Sequence, residues 1–196
     1  MTRRRVVLSV GSNLGDRLGI LTECVQALRR LPETDVLAIS PVYQTAPVGG
    51  PAQPDYLNAV LIASTGLGPY DLLAAAHAIE AAAGRVRAER FGPRTLDIDI
   101  ISYADEVSAD PVLTLPHARA HERAFVLAPW HDIDPEASLP GHGTVRDLLK
   151  GLDTGGVRRE PDLVLPSPSG GDAGSDAGPD AGGDAGPDAG PGNGIR

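Results

Sequence analysis

Apolar segments with strand-like and helix-like spacing alternate along residues 6–152, and this alternation constrains the fold more than any other feature. Residues 6–10 form a compact β-branched run that predicts a buried strand. Asp16 and Pro69 each precede apolar residues at helical spacing, which predicts two amphipathic helices. Several connections are too short for the crossovers that parallel strands need. The sequence therefore predicts an α+β sandwich with a mixed or antiparallel central sheet flanked by helices.

The same pattern places the individual elements. Pro32 ends the first helical pattern, and Gly84 stands where the C-terminal cap of the second helix is expected. The predicted strands span residues 6–10, 36–45, 56–65 and 96–103, and a last helix is predicted at residues 145–152.

The end of the chain has a composition that cannot form a packed core. From Ser167 onward Asp, Ala, Gly and Pro recur, and Ile195 is the one large apolar residue. Such a segment cannot bury enough apolar surface to offset the entropy lost on ordering. We expect one globular domain at residues 1–160 and a disordered tail at residues 161–196. A calcium-binding repeat is the alternative, but the apolar positions of a β-solenoid are missing.

Charge and cysteine content disfavour several classes of protein. The formal net charge of -9 argues against a general nucleic-acid binder, which needs a basic surface to release counterions. Cys24 is the only cysteine, so no intramolecular disulfide can form, as is usual in a reducing cytosol. The apolar run that ends at Gly11 is too short for a signal-peptide core or a membrane span. We therefore expect a cytoplasmic protein that does not enter a membrane.

Two acidic residues in the last predicted strand suggest a metal site. Asp97 and Asp99 are two apart, so in a strand both carboxylates face the same side, roughly 6–7 Å apart. Two like charges on one strand face repel each other, and a bound cation would remove that penalty. Magnesium prefers such oxygen ligands and keeps waters or phosphate oxygens in its shell. An exposed edge strand with solvated acids is the alternative.

Arginines just before these acids favour the metal interpretation. Arg85, Arg87, Arg90 and Arg94 lie in a loop that contains glycine and proline, shortly before Asp97. Guanidinium groups bind phosphate oxygens bidentately and stay charged at any working pH. Acids that hold magnesium beside arginines that hold phosphate are what phosphoryl-type transfer requires. A solvated charged loop is the alternative, and an RNA-binding patch is disfavoured by the adjacent acids and the net charge.

The segment PHARAHERAF, at residues 116–125, contains a second polar cluster. His117, His121 and Arg123 are candidates for phosphate contact. The two histidines are four apart, which leaves a zinc pair open as an alternative. The segment lacks the glutamate arrangement of a metalloprotease, and no cysteine cluster completes a structural zinc site.

An amide and two aromatic residues suggest a site for a flat heterocycle. Tyr56 and Phe125 could stack on such a ring, and Asn58 could hydrogen-bond its edge. Core packing of both aromatic side chains is equally compatible with the sequence.

The segment GSNLGD, at residues 11–16, superficially resembles a phosphate-binding loop. It lacks both the GK[ST] ending and the GxGxxG spacing, so we interpret it as a strand-to-helix turn. Ser12 has no convincing partners for a nucleophilic triad.

Four segments in this order give the chain a family resemblance: GSNLGD, YQTAPVG followed by QPDYLN, GRVRAERFGPRTLDIDI and LPHARAHERAFVLAP. Together they resemble the 6-hydroxymethyl-7,8-dihydropterin pyrophosphokinases of the folate pathway over about residues 5–152. The resemblance implies transfer of diphosphate from ATP to the hydroxymethyl oxygen of the pterin, with release of AMP. It also implies a ferredoxin-like α+β sandwich, two Mg²⁺ ions that bridge the phosphates, and a monomeric enzyme.

The resemblance assigns a role to each matching residue. Asp97 and Asp99 match the ligands of the two Mg²⁺ ions, and with Arg85 and Arg94 they form the implied catalytic set. The residues that match ATP contacts are Glu80, Arg85, Arg90, Arg94, His117 and Arg123. The residues that match the pterin pocket are Thr45, Pro47, Val48, Tyr56, Asn58 and Phe125.

Two other classes of function stay open from the residues alone. A nucleotide- or pterin-binding module would use the same side chains but release no AMP. A metal-dependent phosphohydrolase would consume ATP without a pterin acceptor.

Overall fold

The computed structural model of the protein describes residues 2–47, 51–84 and 93–167. The helices and strands within these ranges follow the predicted alternation. In chain order they are β1 (Arg4–Ser12), α1 (Arg17–Arg29), β2 (Thr34–Ile39), β3 (Val42–Thr45), β4 (Tyr56–Thr65), α2 (Pro69–Ala82), β5 (Asp97–Tyr103), β6 (Ser108–Ala109), β7 (Thr114–Leu115), a 3-10 turn (Ala120–Glu122), α3 (Ala124–Ile133), β8 (Ser138–Leu139), β9 (Gly143–Thr144), α4 (Val145–Lys150) and β10 (Val157–Glu160).

One antiparallel sheet organises these elements. Its strand order is β10-β3-β4-β1-β5, and β2 also pairs with β4. The connection through α1 leads from β1 to β2 and leaves β4 between them, while the connection through α2 leads from β4 to β5 and leaves β1 between them. Two such split β-α-β units are the arrangement of ferredoxin-like folds. The predicted α+β class with an antiparallel sheet is confirmed.

Successive strand residues contribute to two separate cores, because their side chains point to opposite faces of the sheet. On one face Val6 and Leu8 of β1 pack with residues of α1 and α2. On the other face Val7 of β1 packs with Val126 and Trp130 of α3. Helices thus cover both faces, and the α3 face carries the functional site described below.

The predicted strand at residues 36–45 is two strands in the structure. β2 pairs with the C-terminal half of β4, and β3 pairs with its N-terminal end. The strand is interrupted between β2 and β3 at Ser40 and Pro41. Proline has no N–H to give to a sheet. The Ser40 hydroxyl oxygen instead accepts from the N–H of Val60 at 2.9 Å, which maintains the connection to β4.

The sequence pattern does not predict α3, and Pro129 explains why. Proline in a helix interior removes a backbone hydrogen bond, so a helix prediction normally ends before it. In the structure Pro129 lies inside the helix and is buried. Val126, Leu127 and Trp130 had the spacing of a helix face and were the available signal.

The ends of the two predicted long helices agree with the sequence. The Asp16 carboxylate accepts from the N–H of Gly19 at 3.1 Å and caps α1. Gly84, just past α2, has a φ of +75°, the left-handed conformation that commonly ends a helix. No helix in residues 2–47, 51–84 and 93–167 combines the length and apolar character needed to cross a lipid bilayer.

The predicted tail is packed where the structure describes it, at residues 161–167. Leu165 is buried in the core of the α1 and α2 face, and Leu163 packs against it. Arg29 of α1 donates to the carbonyl oxygens of Pro166 and Ser167. Packed residues thus extend past residue 160, where the boundary of the globular domain is predicted. From residue 168 onward the tail lies outside the described residues, and the domain boundary there stays a prediction.

Cys24 provides a simple test of this packing. The residue is 1 % exposed, and burial, together with the Glu80 carboxylate, raises the pKa of its thiol to about 12. Thiolate is the reactive form, so at about pH 8 only about one thiol in ten thousand is reactive. We expect no reaction of the native protein with an aromatic disulfide reagent, and about one equivalent after unfolding in guanidinium chloride. Rapid reaction of the native protein would contradict this packing.

Candidate active site

Polar side chains from neighbouring strands meet at one end of the sheet, on the α3 face. Gly11 of β1 lies opposite Asn58 of β4 on one side and Asp97 of β5 on the other. Two residues earlier in β1, Ser9 lies opposite Asp99. The register therefore aligns an amide, a residue without a side chain and a carboxylate in one row across the sheet, with the second carboxylate in the next row.

These residues line a cavity of about 590 Å³. Its size is in the usual range for a small-molecule site. The rest of the wall comes from β3, β4, loops and the start of α3, and from a segment near the end of the domain. The additional wall residues are Thr45, Ala46, Pro47, Gln53, Tyr56, Arg94, Arg119, Glu122, Arg123, Ala124, Phe125, Leu152, Asp153, Gly156 and Val157.

Both acidic residues of β5 face this cavity, and each is paired with an arginine. Arg94 Nη1 lies 2.6 Å from Asp97 Oδ2. Arg123 Nη1 lies 2.9 Å from Asp99 Oδ2. Ile98, between the two acids, is buried in the opposite core, as the strand alternation predicts. The two guanidinium groups reduce the repulsion between the carboxylates.

His117 adjoins the second of these pairs. Its Nε2 lies 3.8 Å from Asp99 Oδ2 and 3.5 Å from Arg123 Nη1. Burial lowers the pKa of His117, and the nearby Asp99 carboxylate opposes that shift only in part. The lowered pKa favours the neutral imidazole, whose Nδ1 accepts from the N–H of Arg119 at 3.2 Å and whose Nε2 adjoins the Asp99–Arg123 pair.

The zinc alternative has no support in the described part of the chain. The His121 ring stacks on the ring of His142, with centroids 4.1 Å apart. No group of three or more His, Cys, Asp or Glu side chains among the described residues is arranged to hold a metal ion. A cation bound to Asp97 and Asp99 would complete its coordination shell with water or with other oxygen ligands.

The residues predicted for a flat heterocycle line the same cavity. Asn58 is buried, and its Nδ2 donates to Thr45 Oγ1 at 2.7 Å. The Tyr56 hydroxyl donates to Gln53 Oε1 at 3.3 Å. The Phe125 ring lies 5.5 Å from the guanidinium carbon of Arg123. Tyr56 and Phe125 thus border a cavity. The sequence alone could not distinguish this setting from packing in the core.

Glu80 has a different location from the other predicted contacts. It is 2 % exposed and lies on α2, behind β5 as seen from the cavity. Its Oε1 accepts from the N–H of Ile98 at 2.8 Å and so supports the strand that carries the two acids. Its predicted contact with ATP stays a prediction.

Three of the predicted site residues, Val48, Arg85 and Arg90, lie outside the described residues. Their predicted roles are unchanged.

Several residues at the cavity were missed by sequence reasoning. Arg119 and Glu122 lie within PHARAHERAF, and their charge was an available signal. Asn13 does not itself line the cavity, but it lies within the segment interpreted as a turn and contacts Gln53 and Arg94, which do. The wall at residues 152–157 had no local signal, because it depends on the return of β10 to the edge of the sheet at β3.

Comparison with known proteins identifies the family. A family model described as 7,8-dihydro-6-hydroxymethylpterin-pyrophosphokinase (HPPK) matches residues 7–135, which run from β1 through α3. The chain belongs to the HPPK family.

Individual relatives agree with this assignment to the HPPK family. The 2-amino-4-hydroxy-6-hydroxymethyldihydropteridine pyrophosphokinase of Pseudomonas aeruginosa is 40 % identical over 158 residues, which cover 81 % of this chain and 98 % of the relative. The enzyme of the same name from Methylorubrum extorquens is 43 % identical and is covered to 98 %. That from Mycobacterium leprae is 48 % identical over 69 % of this chain and 74 % of the relative. The match therefore spans nearly the whole length of the first two enzymes and about three quarters of the third.

Solved structures show the same fold at lower sequence identity. A Plasmodium falciparum HPPK-DHPS triple mutant with pteroate superposes with a TM-score of 0.60 at 15 % identity. The superposition covers 76 % of this chain and 43 % of that longer chain. At this identity the comparison supports the HPPK fold alone.

Proposed function

We propose that this chain transfers the diphosphate group of ATP to the hydroxymethyl group of 6-hydroxymethyl-7,8-dihydropterin and releases AMP, a step in folate biosynthesis. Membership of the HPPK family and the near full-length match to named pyrophosphokinases support the reaction. The observation that carries the proposal at the site is the row Asn58, Gly11, Asp97, in which a heterocycle-binding amide and a phosphate-side carboxylate share one cavity.

The acceptor half of the cavity suits a pterin. Tyr56 and Phe125 supply rings for stacking, and the Asn58 amide supplies hydrogen bonds for the edge of the heterocycle. Asn58 is held by Thr45, so its amide is oriented before any ligand binds. Orientation in advance reduces the entropy lost on binding.

The donor half suits a magnesium–nucleotide complex. Magnesium commonly binds to one or two carboxylates and completes its octahedral shell with substrate phosphates and water. Asp97 and Asp99 offer two hard oxygen donors on one strand face, and the described residues add no third acid to them. These donors fit two Mg²⁺ ions that arrive with ATP. Such ions neutralise phosphate charge and polarise the oxygens to which they bind.

The transfer is a displacement at the β-phosphorus. The hydroxymethyl oxygen of the pterin forms a bond to that phosphorus, and the bond to the oxygen that bridges the α- and β-phosphates breaks. AMP leaves with that electron pair, and the hydroxyl proton is released. Arg94 and Arg123 both line the cavity. Their planar guanidinium groups would bind phosphate oxygens and stabilise the charge that develops there.

AMP formation tests the proposed function and separates it from its rivals. The full chain is incubated with ATP and MgCl₂, with and without 6-hydroxymethyl-7,8-dihydropterin, and AMP and ADP are quantified by chromatography. We expect AMP and pterin diphosphate in equal amounts when the pterin is present, and almost none without it. ATP consumption at the same rate without the pterin would indicate a hydrolase, and no AMP under either condition would indicate a binding module.

Gly11 offers a test of the acceptor half. A Cβ at this position would lie 2.7 Å from Asn58 Oδ1, which is closer than atoms tolerate. Gly11→Ala should displace the Asn58 amide from Thr45 and weaken pterin binding about 10-fold or more, the cost of one or more buried hydrogen bonds. Isothermal titration calorimetry without ATP measures this affinity. Gly151→Ala is the control, since its Cβ would meet only the Leu148 carbonyl oxygen at 3.5 Å. Unchanged pterin affinity of Gly11→Ala would contradict the assignment.

The remaining features of the proposal concern the setting of the enzyme. We expect a monomer that binds no nucleic acid and works in the cytoplasm with Mg²⁺. Size-exclusion chromatography with light scattering checks the monomer, and a mass of twice 20.3 kDa would contradict it.

A further inference from the structure

Asn13 connects two loops that approach the cavity from opposite sides. It is 1 % exposed and lies between β1 and α1. Its Nδ2 donates to Gln53 Oε1 at 2.9 Å and to the Pro54 carbonyl oxygen at 3.1 Å. Its Oδ1 accepts from the N–H of Arg94 at 2.7 Å, and its own N–H donates to the Arg94 carbonyl oxygen at 3.1 Å. One buried side chain thus holds both loops at once.

Each of these loops leads into one half of the active site. On the acceptor side, Gln53 Oε1 also accepts from the Tyr56 hydroxyl, and Tyr56 begins β4. On the donor side, Arg94 is paired with Asp97, which begins β5. The amide of Asn13 is therefore two hydrogen-bonded contacts from a ring of the acceptor half and from a carboxylate of the donor half.

We propose that Asn13 is a positioning residue that fixes the distance and orientation between the pterin and the β-phosphorus of ATP. The inference rests on the proposed function. The two loops are about 40 residues apart along the chain. The hydrogen bonds from Asn13 to Gln53 and Arg94 join residues that are 40 and 81 positions apart in the sequence. Asn13 itself lines neither half of the cavity, so it acts through the residues that it holds.

A positioning role has a kinetic consequence that a structural role lacks. Reacting atoms must be held about 3–3.5 Å apart in line, and a displacement of about 1 Å can lower the rate about 100-fold. Each half of the site can still bind its own substrate when the link between them is broken. Loss of Asn13 should therefore lower kcat at saturating substrates far more than it weakens either substrate alone.

Two substitutions separate the link from simple loss of hydrogen bonds. Asn13→Leu has a similar volume and removes every side-chain hydrogen bond. Asn13→Asp keeps an acceptor for the N–H of Arg94 but loses the donor to Gln53 and Pro54. Because a link needs both ends, we expect kcat to fall about 100-fold in both variants. The carboxylate of Asn13→Asp would also repel the oxygens of Gln53 and Pro54, so this variant opens the link at that end while the Arg94 end keeps its acceptor.

Ser12→Ala is the matched control. Ser12 adjoins Asn13, is fully buried, and its hydroxyl has no hydrogen-bond partner among the residues that the structure describes. Its variant should keep the wild-type kcat within about 2-fold, whereas both Asn13 variants should not.

The experiment measures AMP release at saturating substrates and the thermal melting temperature. It also measures two dissociation constants, one for the pterin and one for the magnesium complex of a non-hydrolysable ATP analogue. We expect the two dissociation constants to change less than about 3-fold in the variants while kcat falls about 100-fold. Weakening of both substrates in proportion to the lowered melting temperature, with kcat preserved, would show a structural role and overturn the inference. So would wild-type kcat in either Asn13 variant. A wild-type chain that releases no AMP would instead overturn the proposed function, and this inference with it.

Discussion

Asp97→Asn and Asp99→Asn are each expected to lower kcat by about three to four orders of magnitude, with little change in pterin affinity measured without ATP. Asparagine has the shape of aspartate but no negative charge, so the change greatly weakens a ligand for Mg²⁺ without creating a cavity. Both carboxylates lie on β5, whereas Asn58 lies on β4. The strand β1 separates them, with Gly11 between Asn58 and Asp97. The acceptor half should therefore bind the pterin almost normally.

The measurement is AMP release under saturating ATP and pterin over a series of MgCl₂ concentrations, with pterin affinity from calorimetry. Asp35→Asn is the control. Asp35 is an exposed acid on β2, away from the cavity, and is paired with Arg3. Its kcat should equal that of the wild type. Turnover within about 10-fold of wild type in either variant at position 97 or 99 would rule out the metal-binding role of that acid.

Features that depend on local spacing could be read from the sequence. The two acids of β5 share a face because side chains alternate along any strand, whatever the rest of the fold. The limits of β4 at Tyr56 and Thr65 likewise follow from a β-branched run between loop residues. Such features need no knowledge of distant residues.

Features that depend on contacts between distant residues could not be predicted from the sequence. The wall of the cavity at residues 152–157 exists because β10 pairs with β3, a contact over more than a hundred residues of sequence. The hydrogen bonds of Asn13 likewise join segments that no local pattern connects. The helix α3 could not be predicted for a different reason. Proline normally ends a helix, but here the buried packing of α3 overrides that local preference at Pro129.

The pairing of the two acids with arginines was also beyond the sequence. Arginines near the acids were expected to bind phosphate, and in the structure Arg94 and Arg123 contact Asp97 and Asp99. The two roles are compatible, because a guanidinium group can exchange a carboxylate for a phosphate. In the absence of nucleotide these arginines supply the positive charge that the acids need.

This exchange leads to a prediction in which Arg123→Ala changes turnover and metal affinity in opposite directions. Without the guanidinium group the phosphate charge is less stabilised, and we expect kcat to fall about 100- to 1000-fold. Asp99, however, loses the partner that competes with a cation. A partly exposed ion pair is worth about 0.2–1 kcal/mol, so the nucleotide-free protein should bind Mg²⁺ up to about 5-fold more tightly.

Calorimetric titration of the nucleotide-free variant with MgCl₂ gives the metal affinity, and AMP release gives kcat. The control is Arg146→Ala, since Arg146 is an exposed arginine paired with Glu136 and away from the cavity. It should change neither quantity. A parallel loss of turnover and of Mg²⁺ affinity in Arg123→Ala would mean that Arg123 orients Asp99 for the metal rather than competing with it. The opposite signs are expected because the guanidinium group of Arg123 and a cation would compete for the negative charge of Asp99, whose Oδ2 lies 2.9 Å from Arg123 Nη1.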